Sequence, residues 1–121
     1  MTNESIAIGI VTNDAEPMIN FYCDLVGLSN EGQTGLPGGV SYRLLCGTSM
    51  VKLIELRKPL PARSPAGGIY SCTGCRYWTI AVTSVRQVLA ACEAAGVPVA
   101  VPLTEYEPGK RMAIVSDPDG N

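Results

Sequence analysis

The sequence predicts an α+β fold made of two copies of one unit, in which a strand and a helix are followed by an antiparallel meander. Short β-branched runs alternate with two segments of helical periodicity. Turn-forming residues cut the remaining apolar runs into pieces of strand length. The order of these segments repeats after roughly 70 residues, which indicates an internal duplication.

The first copy opens with a predicted strand over 6–12, which is short, β-branched and bounded by polar residues. Asp14 follows it and is placed to cap a helix. Apolar residues then recur at steps of three and four, at Met18, Phe21, Tyr22, Leu25 and Val26. Gly27 stands where a left-handed residue would end this helix.

Three apolar runs follow the first helix and predict an antiparallel meander. They cover 28–33, 40–45 and 50–56, and Gly- and Pro-containing turns separate them. A long segment over 59–74 is rich in Pro and Gly, so it can neither pair as a central strand nor continue a helix. We interpret it as a crossover loop between the two copies.

The second copy repeats the pattern with a predicted strand over 77–84, a helix over 85–95 closed by Gly96, and strands over 97–101 and 112–115. Val11-Thr12-Asn13 aligns with Val82-Thr83-Ser84. The closing segment 117–121 predicts a turn whose Asp and Asn side chains bond the backbone. A further strand is expected beyond this turn and is missing from the chain as given, so one domain consists of modules at about 1–58 and 75–121.

Composition excludes several classes of protein. The chain has 121 residues, 46% hydrophobic and 17% charged, with a net charge of -2, so neither nucleic acid nor an anionic membrane is an expected partner. The apolar residues do not gather into a membrane-spanning block. Five cysteines, an odd number, and a polar start without a secretion signal favour reduced thiols and a cytoplasmic location.

The absence of histidine removes the commonest general base and the commonest transition-metal ligand. Cys72-Thr73-Gly74-Cys75 has the spacing of a redox motif or half a zinc site. No second pair accompanies it, and a strand is predicted to follow it where a redox motif would open a helix. Chance spacing in a loop is therefore the simpler interpretation.

Glu55 is the most unusual charged residue, because it interrupts an apolar strand. A buried carboxylate there would need a metal, a cation or a proton. The alternative is a Glu55 that faces solvent near the strand end, paired with Lys52 or Arg57. Both interpretations remain open from the sequence.

Two strand tyrosines, Tyr42 and Tyr77, could stack on a ligand and donate a hydrogen bond, or could pack in the core or at its rim. Arginines and lysines near strand ends could bind an anionic ligand, among them Arg43 and Arg111. Simple solvation explains these cations equally well.

Three phrases, IVTNDAEPMINFYCDLVGL, YWTIAVTSVRQVLAACEAAGV and the closing SDPDGN, appear in an order and spacing that resembles the vicinal oxygen chelate superfamily. This is the glyoxalase, bleomycin resistance and dioxygenase superfamily. The resemblance covers essentially the whole chain. It implies two βαβββ modules that form a curved, open mixed sheet around a cleft, with the helices on the outer face.

Metal-dependent members of that superfamily hold a divalent ion in the cleft with ligands on the first, fourth, fifth and last strands. The corresponding positions here are Ile6 or Ala7, Glu55 or Ile54, Tyr77, and a residue beyond Asn121. Glu55 is the one conventional ligand among them, so the resemblance implies no bound cofactor, with a divalent metal as the alternative.

The resulting hypothesis is a protein that binds a small, largely apolar molecule in the cleft between the modules, without a metal. Tyr42, Glu55, Tyr77 and Arg111 are the predicted ligand-binding residues. One alternative is a metal-dependent lyase, isomerase or dioxygenase in which Glu55 is catalytic, and another is an interaction module without a ligand. An unpaired sheet edge also predicts a homodimer, with exchanged segments as one form of it.

Overall fold

The computed structural model describes residues 4–121, and their contacts divide the chain into two compact units. Residues up to Arg63 belong to unit 1, and Ser64–Asn121 form unit 2. The boundary between them falls inside the Pro- and Gly-rich loop predicted for 59–74. No helix within 4–121 is both long enough and apolar enough to cross a membrane.

Unit 1 confirms the predicted order of strand, helix and meander. Its elements are β1 (Ala7–Thr12), α1 (Ala15–Ile19) with a π-helical continuation (Asn20–Val26), β2 (Ser29–Leu36), β3 (Gly39–Cys46) and β4 (Ser49–Leu56). The four strands form one mixed sheet in the order β1-β4-β3-β2. β1 runs parallel to β4, and the other two pairs are antiparallel.

The sheet of unit 1 has two different faces. Leu44 and Val51 are partners in the register and lie on the same face, as does Leu53 two residues after Val51. All three are buried. Helix α1 contacts β4, and Met18 from this helix is completely buried. We call the side with these residues the helix face and the opposite side the open face.

The first helix changes its hydrogen-bonding pattern halfway, which the sequence did not predict. Thirteen positions separate the N-cap Asp14 from Gly27, whereas twelve separate the N-cap Ser84 from Gly96. Both glycines are left-handed as predicted, with φ of 101° and 76°. A π-helical turn accommodates one additional residue without moving the ends of the helix, which explains the π-helix of the first copy.

Unit 2 repeats only part of this arrangement. It contains a short 3₁₀ helix (Gly68–Tyr70), α2 (Val85–Ala94), β5 (Val99–Glu107) and β6 (Lys110–Val115), and β5 pairs antiparallel with β6. The predicted strand over 77–84 is wrong. Its counterpart β1 pairs with β4, and within the described part of unit 2 no strand follows β6 to pair with it.

The N-caps correct the alignment of the two copies. Asp14 and Ser84 share one backbone conformation, with φ of -145° for both and ψ of 101° and 103°. Asp14 therefore corresponds to Ser84, one residue away from the alignment that placed Asn13 there. The Ser84 hydroxyl accepts a hydrogen bond from the N–H of Gln87 at 3.2 Å, but the Asp14 side chain makes no capping bond, contrary to prediction.

The closing turn has the side-chain bonds expected of it. Asp117 is buried, and its Oδ1 accepts the backbone N–H of Asp119 at 3.0 Å and of Asn121 at 2.9 Å. The Asn121 amide also donates to Asp117 Oδ2 at 3.0 Å. One carboxylate thus holds the whole turn.

Replacing Asp117 by alanine should lower the free energy of unfolding by about 1 kcal/mol, because the two backbone N–H groups lose their acceptor. Urea denaturation followed by circular dichroism measures this change. Asp119→Ala is the control in the same turn and should have a smaller effect. Equal losses in the two variants would contradict the central role of Asp117.

Candidate functional site

Glu55, in β4, caps the first helix. Its Oε2 accepts the backbone N–H of Ala15, the first residue of α1, at 2.6 Å. Thr12 and Val40 are its partners in the register. Glu55 stands two residues after Leu53 and four after Val51, so it lies with them on the helix face. The carboxylate satisfies one of the free N–H groups at the positive end of the helix, whereas the side chain of the N-cap Asp14 bonds none of them.

This placement differs from both interpretations of Glu55 from the sequence. Within 4–121 the carboxylate forms no ion pair with Lys52 or Arg57. Lys52 stands three residues before Glu55 in β4, so it points to the opposite, open face. Glu55 has a structural partner in Ala15, which the strand pattern alone could not reveal because the two residues are distant in sequence.

Two of the four predicted ligand-binding residues lie together. Tyr42 is opposite Leu53 in the register and therefore also lies on the helix face. A depression of about 360 Å³, which we call the acidic depression, is lined by Asp14, Ala15, Glu16, Ile19, Asn20, Tyr42 and Glu55. Three of these side chains are carboxylic acids and none is basic, so the depression favours a cationic group.

The other two predicted residues belong to unit 2 and are not grouped. Tyr77 is 64% exposed. Arg111 lines a depression of about 290 Å³, which we call the basic depression, with Thr83, Ser84, Val85, Arg86 and Gly109. Tyr77 is not part of that lining. The basic depression lies at the start of α2, just as the acidic depression lies at the start of α1, because Ser84 corresponds to Asp14.

The residues of unit 1 do not fit a divalent metal on the open face. Ala7 lies opposite Met50, which is next to the buried Val51 and therefore on the open face. Ile54 is four residues after Met50 and lies on the same face. Ala7 and Ile54 are thus the open-face residues at the implied ligand positions. Neither side chain has a donor atom for a metal. Glu55, the one conventional ligand, points to the other face. No group of three or more His, Cys, Asp or Glu residues in the described part of the chain is arranged to hold a metal ion.

The open face carries a pair of cations instead. Arg43 on β3 and Lys52 on β4 are direct partners in the antiparallel register, and both are exposed. Like charges directly opposite one another destabilise a sheet. Neither forms an ion pair with any residue in 4–121. The sequence identified Arg43 only as one of several cations, because the pairing with Lys52 depends on register.

Gly9 leaves room beside these two cations. It is the partner of Lys52 on β1, so the row across the open face reads Gly9, Lys52, Arg43. A Cβ atom added to Gly9 would meet no other atom within 4 Å, and its φ angle is not positive. Space and charge therefore occur side by side in this row.

Apolar side chains flank the row on both sides. Val11 and Ile54 are partners two residues further along the strands, on the same face, and Val11 is 50% exposed. Met50 and Leu45 are partners two residues in the other direction, and both are half-buried. On the open face of unit 1, apolar side chains thus lie on both sides of a central cationic strip, with the buried Ser41 opposite Ile54. This combination suits a flat, largely apolar molecule with one anionic group.

Solved structures resemble this chain at low identity. A glyoxalase/bleomycin resistance protein from Streptomyces sp. CB03234 is 22% identical with a TM-score of 0.68, over 98% of this chain and 95% of that chain. TnmS3, an antibiotic binding protein from the same organism, is 20% identical with a TM-score of 0.64, over 99% and 91%. The trypanothione-dependent glyoxalase I of Leishmania major is 21% identical with a TM-score of 0.67, over 98% and 82%. At these identities the likeness supports the fold alone.

Comparison with curated proteins finds no match. The sequence profile of the Glyoxalase/Bleomycin resistance protein/Dioxygenase superfamily matches residues 6–121. This range includes β1 and extends through the closing turn held by Asp117. The match and the fold of unit 1 agree with the resemblance carried by the three phrases. The chain belongs to the Glyoxalase/Bleomycin resistance protein/Dioxygenase superfamily.

Proposed function

We propose that this protein binds a small, largely apolar molecule with an anionic group, and that it does so without a metal. The ligand lies on the open face of unit 1, over the row of Gly9, Lys52 and Arg43. Membership of a superfamily that includes an antibiotic binding protein supports a binding function. The family resemblance also puts the helices on the outer side, so the open face is the side on which that family binds its ligands.

The observation that carries this proposal is the direct pairing of Arg43 with Lys52. Holding two cations opposite one another costs stability unless an anion lies between them. An anionic group of the ligand would accept hydrogen bonds from the guanidinium and the ammonium at once. The apolar side chains beside them would bury the rest of the molecule, at about 25 cal/mol for each Å² of apolar surface.

The donor atoms that are present support metal independence. The chain has no histidine, and the open-face positions implied for metal ligands hold Ala7 and Ile54. The carboxylate of Glu55 is engaged with the N–H of Ala15 on the other face. A lyase, isomerase or dioxygenase that depends on a metal would lack its first two ligands in unit 1.

Anilinonaphthalene sulfonate (ANS) is a suitable probe, because it is largely apolar and carries one anionic group. We expect saturable binding of ANS to the folded protein, followed by its fluorescence, with one dominant site per chain. Neutral N-phenylnaphthylamine should bind more weakly, because it cannot engage the two cations. Equal affinity for both probes would contradict an anion site on the open face.

Filling the space above Gly9 should block this site. Gly9→Val is expected to weaken ANS binding about tenfold, because the new side chain occupies the space beside Lys52. The same substitution should leave the stability unchanged or raise it, since the backbone at Gly9 needs no positive φ and valine favours strands. Fluorescence titration and urea denaturation measure the two effects. Unchanged affinity in a folded Gly9→Val protein would contradict the proposed position of the ligand.

The acidic depression is the other candidate site for the predicted residues Tyr42 and Glu55. Its carboxylates would favour a cationic ligand, so the two sites differ in the charge of the molecule they select. Tyr42→Phe keeps the ring and removes the hydroxyl. We expect it to leave ANS binding unchanged, and a loss of ANS affinity in this variant would move the site to the helix face.

A homodimer is also part of the proposal. In unit 2, β6 has β5 as its one strand partner among the described residues. Unpaired backbone groups at the other edge of such a strand favour association with a second copy. We expect a dimer by light scattering across micromolar concentrations, and a monomer throughout that range would contradict it. Five unpaired cysteines support a cytoplasmic location, where thiols stay reduced.

A further inference from the structure

The segment that precedes residues 77–84 holds two exposed thiols in a small, organised loop. Cys72 and Cys75 are both free and exposed. The other three cysteines lie within helices or strands: Cys23 in the π-helix, Cys46 in β3 and Cys92 in α2. A dissolved reagent therefore reaches Cys72 and Cys75 more readily than it reaches the other three thiols.

Arg76 organises this loop with its guanidinium group. It donates from Nε to the carbonyl of Gly68 at 2.9 Å, and from Nη2 to the carbonyl of Pro65 at 2.7 Å and to Oγ of Ser71 at 2.9 Å. The Ser71 hydroxyl in turn donates to the Gly68 carbonyl at 3.0 Å. The contact of Arg76 with Ser71 closes the chain into a ring that contains both cysteines.

The backbone between the thiols is bent. The chain bends at Thr73 and Gly74, and Gly74 has a φ of 107°, in the left-handed region. A disulfide spans Cα atoms about 4.4 to 6.8 Å apart, a separation that residues three positions apart reach where the chain is bent between them. The bend therefore favours closure of a disulfide between Cys72 and Cys75.

We propose that Cys72 and Cys75 form a reversible dithiol–disulfide pair that exchanges with low-molecular-weight disulfides. One thiolate attacks a sulfur atom of the small disulfide, forms a mixed disulfide and releases one small thiol. The second cysteine then attacks the protein sulfur of the mixed disulfide and releases the second small thiol. The protein loses two electrons and two protons, and the two released thiols carry them.

Two of the other cysteines are protected from this chemistry. Burial raises the pKa of the Cys92 thiol, and the nearby Glu93 raises this pKa further. Burial likewise raises the pKa of the Cys23 thiol, with a further contribution from Asp24. Fewer thiolates form at these positions near neutral pH, so exchange at them is slow.

The test uses hydroxyethyl disulfide as the oxidant on the intact chain, followed by alkylation and peptide mass mapping. The expected result is a simultaneous loss of the Cys72 and Cys75 thiols with an internal disulfide between them. In Cys75→Ser, Cys72 should stop at the mixed disulfide. Cys46→Ser is the matched control and should close the Cys72–Cys75 bond as readily as the unchanged protein. Stable mixed disulfides at both positions of the unchanged protein, or equal oxidation of Cys23 and Cys46, would overturn the proposal.

A second variant tests the role of Arg76. Arg76→Gln should lower the equilibrium constant for closure of the disulfide about tenfold, because the dithiol loop is then no longer held bent and closure must order about one further residue. Lys58→Gln is a control that removes a cation from the same exposed stretch of chain outside this loop and should change nothing. An equilibrium constant in Arg76→Gln equal to that of the unchanged protein would overturn the claim that this side chain holds the thiols for closure.

Discussion

Replacing Arg43 and Lys52 together by glutamine is expected to weaken ANS binding about a hundredfold, because each cation contributes a charge-assisted contact of about tenfold. The single variants should each lose about tenfold. Binding of neutral N-phenylnaphthylamine should stay unchanged, since the apolar side chains of the open face are intact. Fluorescence titration of the two probes against the three variants measures all of these effects.

The double variant should also be more stable than the unchanged protein, since it removes a pair of like charges that face one another. This gain in stability separates a specific anion site from damage to the fold. Arg57→Gln is the matched control, because it removes a cation that lies outside the strands of the sheet. If Arg57→Gln weakened ANS binding as much as the double variant, general charge attraction would explain the binding and the proposed row would not.

Replacing Glu55 by alanine is expected to lower the free energy of unfolding by about 2 kcal/mol. The change removes a charge-assisted hydrogen bond and leaves the N–H of Ala15, which is buried, without its acceptor. Glu55→Gln should lose about half as much, because its amide oxygen can still accept this bond. Urea denaturation followed by circular dichroism measures both variants.

Glu16→Ala is the matched control for Glu55, because both carboxylates line the acidic depression and lie near the start of α1. Glu16 makes no bond to the first N–H of the helix, so its loss should cost less than about 0.5 kcal/mol. ANS binding should survive in folded Glu55→Ala protein. A Glu55→Ala protein with full stability and no ANS binding would contradict the structural role of Glu55 and return it to the ligand site.

Local chemistry predicted much of the fold. The meander of β2, β3 and β4 was predicted from turn residues, whose effect on the backbone is confined to a few neighbouring positions. Gly27 and Gly96 marked the ends of both helices, because a left-handed residue at that point has few alternatives to glycine. The Asp117 turn was also predictable from local sequence, since its hydrogen bonds join residues only two and four positions apart.

Contacts between distant residues were beyond the reach of such patterns. A slip of one residue in register exchanges the two faces of a strand, so the sequence could not decide between Glu55 and Ile54 for the open face. The capping of Ala15 by Glu55 joins two elements across the sheet. The strand predicted at 77–84 failed because a strand needs a partner, which its own side-chain pattern does not supply.

The candidate site was predicted in part. The sequence shows that histidine is absent and that Ala7 has no donor atom for a metal, while binding without a metal stays a prediction. The cation pair of Arg43 and Lys52 became visible only through the register of β3 and β4. Ligand binding by Tyr42, Glu55, Tyr77 and Arg111 stays a prediction, and the Tyr42→Phe and Glu55→Ala variants address the first two of them.

The most direct measurement is a fluorescence titration of ANS into protein treated with a strong chelator, before and after addition of Zn²⁺ or Ni²⁺. Metal-independent binding on the open face predicts saturable binding in the chelator, with an affinity that neither ion changes. Binding that disappears in the chelator and returns with a stoichiometric amount of either ion would contradict it.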